Sequence, residues 1–163
     1  GLGVATLTGT LAAGRTILSM AAAPLGGTVS DRLGSRWGVM AWAVAGGLAG
    51  MLLMAWDAPA AIVVGVLLGA ASAGCVQSLA TTLTGDLVTP EQCGRAIGLL
   101  HTAGDLGSAI GPIAAYALLP WLDLRGVYLL CAGLLALGLV PALHLHRQER
   151  ALRTRETLSC IQT

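Results

Sequence analysis

The chain has 163 residues and a formal net charge of +1; it is 55% hydrophobic and only 10% charged, with no Lys, Asn or Phe. A soluble domain carries about a quarter of its residues as charges, so this is a membrane protein's composition, and the lack of a basic patch interleaved with aromatics excludes nucleic acid as a partner. The chain opens with Gly and lacks the charged start, short apolar core and cleavage site of a signal peptide, which predicts a piece of a longer protein.

Crossing a hydrocarbon core of roughly 30 Å takes about 20 apolar residues in a helix. Five stretches meet that need, at about residues 1–26, 37–56, 60–84, 95–119 and 126–144, and predict an all-α membrane protein of five transmembrane helices. The first span holds Arg15, with Thr8 and Ser19 on the same helical face. It leads into "GGTVSDRLGSRWG", residues 26–38, where Asp31, Arg32 and Arg36 stand among four glycines. Trp37 and Trp56 bracket the second span, at the headgroup level that amphipathic rings favour. Gly46 with Gly50, and Gly65 with Gly69 in the third span, recur at the spacing that lets helix backbones approach closely.

"TPEQCGR" introduces the fourth span, with Thr89 as N-cap, Pro90 at the first helical position and Gln92 closing a capping box. Within that span His101 and Asp105 are four apart and share a face with Thr102, Ser108 and Pro112, while Gly107 and Gly111 repeat the packing spacing. "PWLDLRG" links it to the fifth span, and residues 147–163 form a polar tail. Short links make neighbouring spans antiparallel. A soluble bundle would carry a polar stripe on the solvent side of every helix, and these spans do not.

Antiparallel spans place Arg32, Arg36, Arg95, Arg147, Arg150, Arg153 and Arg155 on one side of the membrane and Arg125 on the other. Positive-inside bias makes the arginine-rich side cytoplasmic, so the fragment begins outside and its tail lies inside a plasma or inner membrane. Arg15 and Asp105 then sit roughly 15 to 18 Å from the cytoplasmic edge, near the midplane. Ionisable residues there are costly and mark solute or proton pathways by default. Arg15 is read as an anion-binding or ion-pairing residue and His101 with Asp105 as a proton-handling pair, the alternative being an Arg15–Asp105 ion pair that only joins helices.

Cys75 and Cys131 fall inside spans, Cys93 in a cytoplasmic loop and Cys160 in the tail, without the spacings of zinc or redox sites. No metal or cofactor is expected. His144 and His146 stand at a membrane exit with no nucleophile nearby, and no nucleophile elbow or phosphate-cradling loop occurs, so no enzyme is expected.

Gly27, Asp31, Arg32, Gly34 and Arg36 together resemble the signature loop of the major facilitator superfamily, secondary transporters built of two six-helix halves. Ser35 stands where that family often has another basic residue. The resemblance implies that Asp31 engages a helix end of the opposite half and holds one state of the transport cycle closed on the cytoplasmic side. Residues 85–112, through Gly94, Arg95, Gly98, Gly107, Gly111 and Pro112, are similar to the family's other cytoplasmic crossing and the helix after it. The likeness covers residues 1–146 and implies a partial six-helix half, about helices eight to twelve, with the seventh missing.

The competing placement is helices two to six. There, Gly107 to Pro112 would resemble the family's antiporter signature, with Ala115 and Tyr116 in place of its closing glycine pair. The third span lacks the arginine that many members carry in their fourth helix, and the chain ends in a polar tail, which favours the C-terminal half.

The function implied by this resemblance is that of part of a secondary active transporter, moving a small solute by alternating access, proton-coupled, with efflux or antiport favoured. Its partners would be the small-molecule substrate, a proton or other coupling ion, the lipid bilayer and the missing half. The alternative from a different class is a stand-alone membrane scaffold or assembly protein without transport activity.

Overall fold

The computed structural model describes residues 3–56 and 58–161, and the side chains of all of these except residues 4, 5, 7 and 152–161. Five helices follow one another: α1 (Val4–Leu33), α2 (Arg36–Met54), α3 (Pro59–Leu87), α4 (Pro90–Leu118) and α5 (Leu124–Ile161). No strand occurs among the described residues.

Local chemistry sets the breaks. Helix α1 stops where Gly34 takes a left-handed φ of 62°, a conformation that glycine adopts without a Cβ penalty. Ser35 then caps α2, its hydroxyl accepting the Gly38 N–H at 3.2 Å. Pro59 and Pro90 open α3 and α4, where a missing N–H costs nothing. Thr89 stands at the N-cap of α4, but the expected capping box does not form. The Gln92 N–H goes to the Thr89 carbonyl at 2.9 Å, and the Thr89 side chain makes no cap hydrogen bond.

Helices and apolar runs are not the same length. Helix α1 continues past the first apolar run to Leu33, so the supposed loop shrinks to Gly34 and Ser35, with Gly27, Asp31 and Arg32 on the last turns of α1. Helix α5 continues to Ile161; its 38 residues measure roughly 57 Å at 1.5 Å per residue, well beyond a hydrocarbon core. Arg36–Met54, Pro59–Leu87 and Leu124–Ala151 are long and apolar enough to cross a membrane. Among the described residues the other two helices fall short of that standard; each carries ionisable side chains at mid-length, Arg15 in α1 and His101 with Asp105 in α4.

Helix α3 is the centre of the packing. It lies against α2 on one side and α1 on the other; α5 packs on α2, and α4 rests on α3 without burying any residue. Small residues make the close approaches possible. A Cβ on Gly50 would come within 2.9 Å of the Gly65 carbonyl oxygen, and one on Gly47 within 2.6 Å of the Ser72 hydroxyl. A Cβ on Gly74 would collide with the Ser19 carbonyl, and one on Gly26 would reach 3.1 Å from Cys75 Sγ. Two side-chain hydrogen bonds join the helices here: Ser72 Oγ donates to the Ala43 carbonyl at 2.6 Å and Cys75 Sγ to the Ala22 carbonyl at 3.2 Å. By contrast, Gly46 has only Leu68 at 4.0 Å, and Gly27, Gly107 and Gly111 face open space, so the packing role expected of Gly107 and Gly111 is not exercised here.

Gly74→Ala should therefore force α1 off α3 and destabilise the bundle by about 1–3 kcal/mol, seen as a lower thermal midpoint in detergent. Gly69→Ala, whose methyl meets open space, should leave that midpoint unchanged or slightly raised.

Candidate functional site

Two grooves meet on the face shared by α1, α3 and α4. One, about 490 Å³, lies between Ser19 and Ala23 of α1 and Gly74, Gln77, Ser78 and Thr82 of α3. The other, about 320 Å³, lies between α3 and α4, where Gln77 and Thr81 face His101, Asp105 and Ser108. Gln77 and Thr81 border both grooves, so the two form one polar surface with the Gln77 amide at its centre.

The hydroxyls of this surface are partly spent on their own helices. Thr81 donates to the Gln77 carbonyl at 3.0 Å, Thr82 to Ser78 at 2.9 Å and Thr102 to Gly98 at 2.8 Å. The Gln77 amide, the His101 imidazole and the Asp105 carboxylate have no side-chain hydrogen bond or ion pair among the described residues, and residues 101–110 are all exposed. Arg15 is exposed one turn before Ser19 and borders neither groove, and no ion pair joins it to Asp105 among the described residues. Sequence reasoning found His101 and Asp105 and missed Gln77. The signal was present, since Gln77 is the one amide side chain within the third span.

A second polar cluster closes the end of the bundle where α1 meets α2. The Arg36 guanidinium lies 3.7 Å from the Asp31 carboxylate and also hydrogen-bonds Asp86, near the end of α3. One arginine thus links three helices. Its side chain is 33% exposed, against 69% for Asp31. Asp31 pairs here with a residue of its own signature loop, and Asp86 is a partner that sequence reasoning did not single out. Arg32 is exposed and makes no ion pair among the described residues.

Ser35 works alongside Arg36. Its hydroxyl donates to Glu149 at 2.9 Å, accepts from Gly38 N–H, and lies 3.0 Å from His146 Nδ1. With the hydroxyl proton committed to Glu149, the imidazole must supply the proton of its contact. Gly38 makes room, for a Cβ there would come within 2.7 Å of the imidazole. Asp31, Arg36, Asp86 and Glu149 border a cleft of about 560 Å³ with Leu83 and Leu145. The side chains of Arg153, Arg155 and Cys160 lie outside the described residues. No cluster of three or more metal-ligating side chains occurs among the described residues.

Ser35→Ala removes the cap of α2 and its tie to α5, and should lower stability by about 1 kcal/mol. The Arg36–Asp86 pair is partly exposed, so a double-mutant cycle with Arg36→Ala and Asp86→Ala should give a coupling of at most about 1 kcal/mol. Denaturant unfolding in detergent measures both.

Comparison with curated proteins and with solved structures gives no match. The family model described as Major Facilitator Superfamily matches residues 2–158, nearly the whole chain, including both polar clusters. Its members are membrane transporters of small molecules rather than enzymes, and the apolar lengths of α2, α3 and α5 suit that setting. The chain belongs to the Major Facilitator Superfamily.

Proposed function

We propose that this chain is one bundle of a proton-coupled secondary transporter, helices eight to twelve of the whole, and that α1, α3 and α4 present the solute pathway to a facing bundle. The observation that carries this reading is the polar surface around Gln77. Polar and ionisable groups within a membrane bundle are costly unless they face water, a ligand or a partner, and here Gln77, His101 and Asp105 line grooves that the described helices leave open. A second bundle across from them would complete a central site near the midplane, about which alternating access takes place. In this reading α1 and α4 cross the membrane with the other three helices because their polar residues line the pathway instead of facing lipid.

Asp105 is the proton carrier in this proposal, with His101 one helical turn away, and Arg15 contributes positive charge to the same side of α1. The Asp31–Arg36–Asp86 cluster acts as the latch. It draws the ends of α1, α2 and α3 together, so that side of the bundle closes as one body. Orientation follows from the arginine bias, with the latch and the end of α5 in the cytoplasm.

Reconstituted with the complete transporter, Asp105→Asn should abolish gradient-driven uptake while solute exchange without a gradient persists. Exchanging charges, as Arg15→Asp with Asp105→Arg, should not restore uptake; full restoration would make the two a structural pair and remove the proton role. Asp31→Asn should reduce transport with insertion intact, and normal transport by that variant would end the latch assignment. For orientation, a membrane-impermeant thiol reagent should reach Cys93 from the cytoplasmic face and spare Cys75, and labelling of Cys93 from outside intact cells would reverse the topology.

A further inference from the structure

A third groove opens on the opposite side of α1 from the polar surface. Its walls are Leu25 and Val29 of α1 and Val39 and Trp42 of α2, and its floor is α3 near Leu68, with a volume of about 310 Å³. The polar atoms of that floor are already satisfied within the bundle, Ser72 by the Ala43 carbonyl and Cys75 by the Ala22 carbonyl, so the lining is dry. The groove follows α2 from Val39 to Gly46, roughly 10 Å at 1.5 Å per residue. Its apolar lining suits a hydrocarbon chain.

Arg32 supplies the other half of the recognition. It lies three residues beyond Val29 and seven beyond Leu25, on the groove side of α1. Helical side chains lean over the turn that precedes them, which for Arg32 is the turn that carries Val29. Arg36 is engaged by Asp31 and Asp86, whereas Arg32 is exposed and makes no ion pair among the described residues. A planar guanidinium matches a phosphate through paired hydrogen bonds.

We propose that this groove is a site for one anionic glycerophospholipid, with an acyl chain lying between α1 and α2 over Leu68 and the phosphate held by Arg32. The lipid fills the space that the sparse contact between α1 and α2 leaves above α3. It ties the last turn of α1 to the leaflet beside the Asp31–Arg36 cluster. The site is independent of which solute is carried, and of whether Asp105 handles protons.

The test is native mass spectrometry of the full chain, released from micelles containing phosphatidylglycerol or phosphatidylcholine with the same acyl chains. One phosphatidylglycerol should remain bound per chain, in preference to phosphatidylcholine. Arg32→Gln should reduce its retention about fivefold, to the phosphatidylcholine level, whereas Arg95→Gln on α4 should not. Gly46→Leu and Leu25→Trp fill the groove from either wall without entering the tight α2–α3 contact at Gly47 and Gly50; whichever of them folds should lose the bound lipid. The proposal is overturned if phosphatidylglycerol has no preference, if Arg95→Gln weakens retention as much as Arg32→Gln, or if the filled groove still retains lipid. A dimer that disappears in the filled variants would assign the groove to a second copy and overturn it equally.

Discussion

The arrangement of the bundle depends on how closely α3 approaches its neighbours. In lipid there is no hydrophobic gain from bringing two apolar helices together, so packing contacts and a few hydrogen bonds must hold them. Helix α3 meets that demand with glycine on both flanks: Gly65 and Gly69 against Gly50 of α2, and Gly74 against Ser19 of α1. Backbone then meets backbone, and Ser72 and Cys75 can reach carbonyls of α2 and α1. A larger side chain at Gly50, Gly65 or Gly74 would separate the helices and take those hydrogen bonds with it.

Because α3 is tight on both flanks, polar chemistry is displaced to places the packing leaves open. At one end, Arg36 gathers carboxylates from α1 and α3, and Ser35 reaches α5. At mid-length, Gln77 and Asp105 stand on the side where α4 leans on α3 without burying a residue. The first cluster satisfies itself within the chain; the second does not. A polar group that is self-satisfied rigidifies its surroundings, whereas one left open is available to a ligand, and on the proposed reading this difference separates the latch from the solute pathway.

The positions of the five helices were legible in the sequence because hydropathy reports where apolar side chains are continuous. Their ends were less so. Hydropathy falls at Asp31 and at Arg147, but the backbone continues its hydrogen bonding through both, to Leu33 and to Ile161. Glycine spacing pointed to the Gly50 contact with Gly65 and Gly69, yet it also drew attention to Gly107 and Gly111, because spacing does not tell which face of a helix meets a neighbour. On α1 it is Gly26 that makes a close contact, with Cys75, while Gly27 of the signature stretch faces open space. Asp86 lies 50 residues from Arg36, and Glu149 lies 114 from Ser35, separations at which chain order carries no sign of contact. The resemblance to the transporter family located the Asp31–Arg36 stretch; only the fold supplied its third partner, Asp86.

The one-sided seating of α4 bears on how the chain enters the bilayer. On the proposed five-span reading, α1 and α4 are the costly members, for an arginine or an aspartate at the centre of a transmembrane helix disfavours insertion by about 2.5–3.5 kcal/mol. The connection of α4 to α5 is short, and α5 is apolar enough within Leu124–Ala151 to cross a membrane. Partitioning of α4 and α5 as one hairpin lets the apolar helix offset the polar one. Helix α4 thus owes its place in the membrane less to its own sequence than to the segment synthesised after it, and truncation ahead of α5 would strand it at the surface.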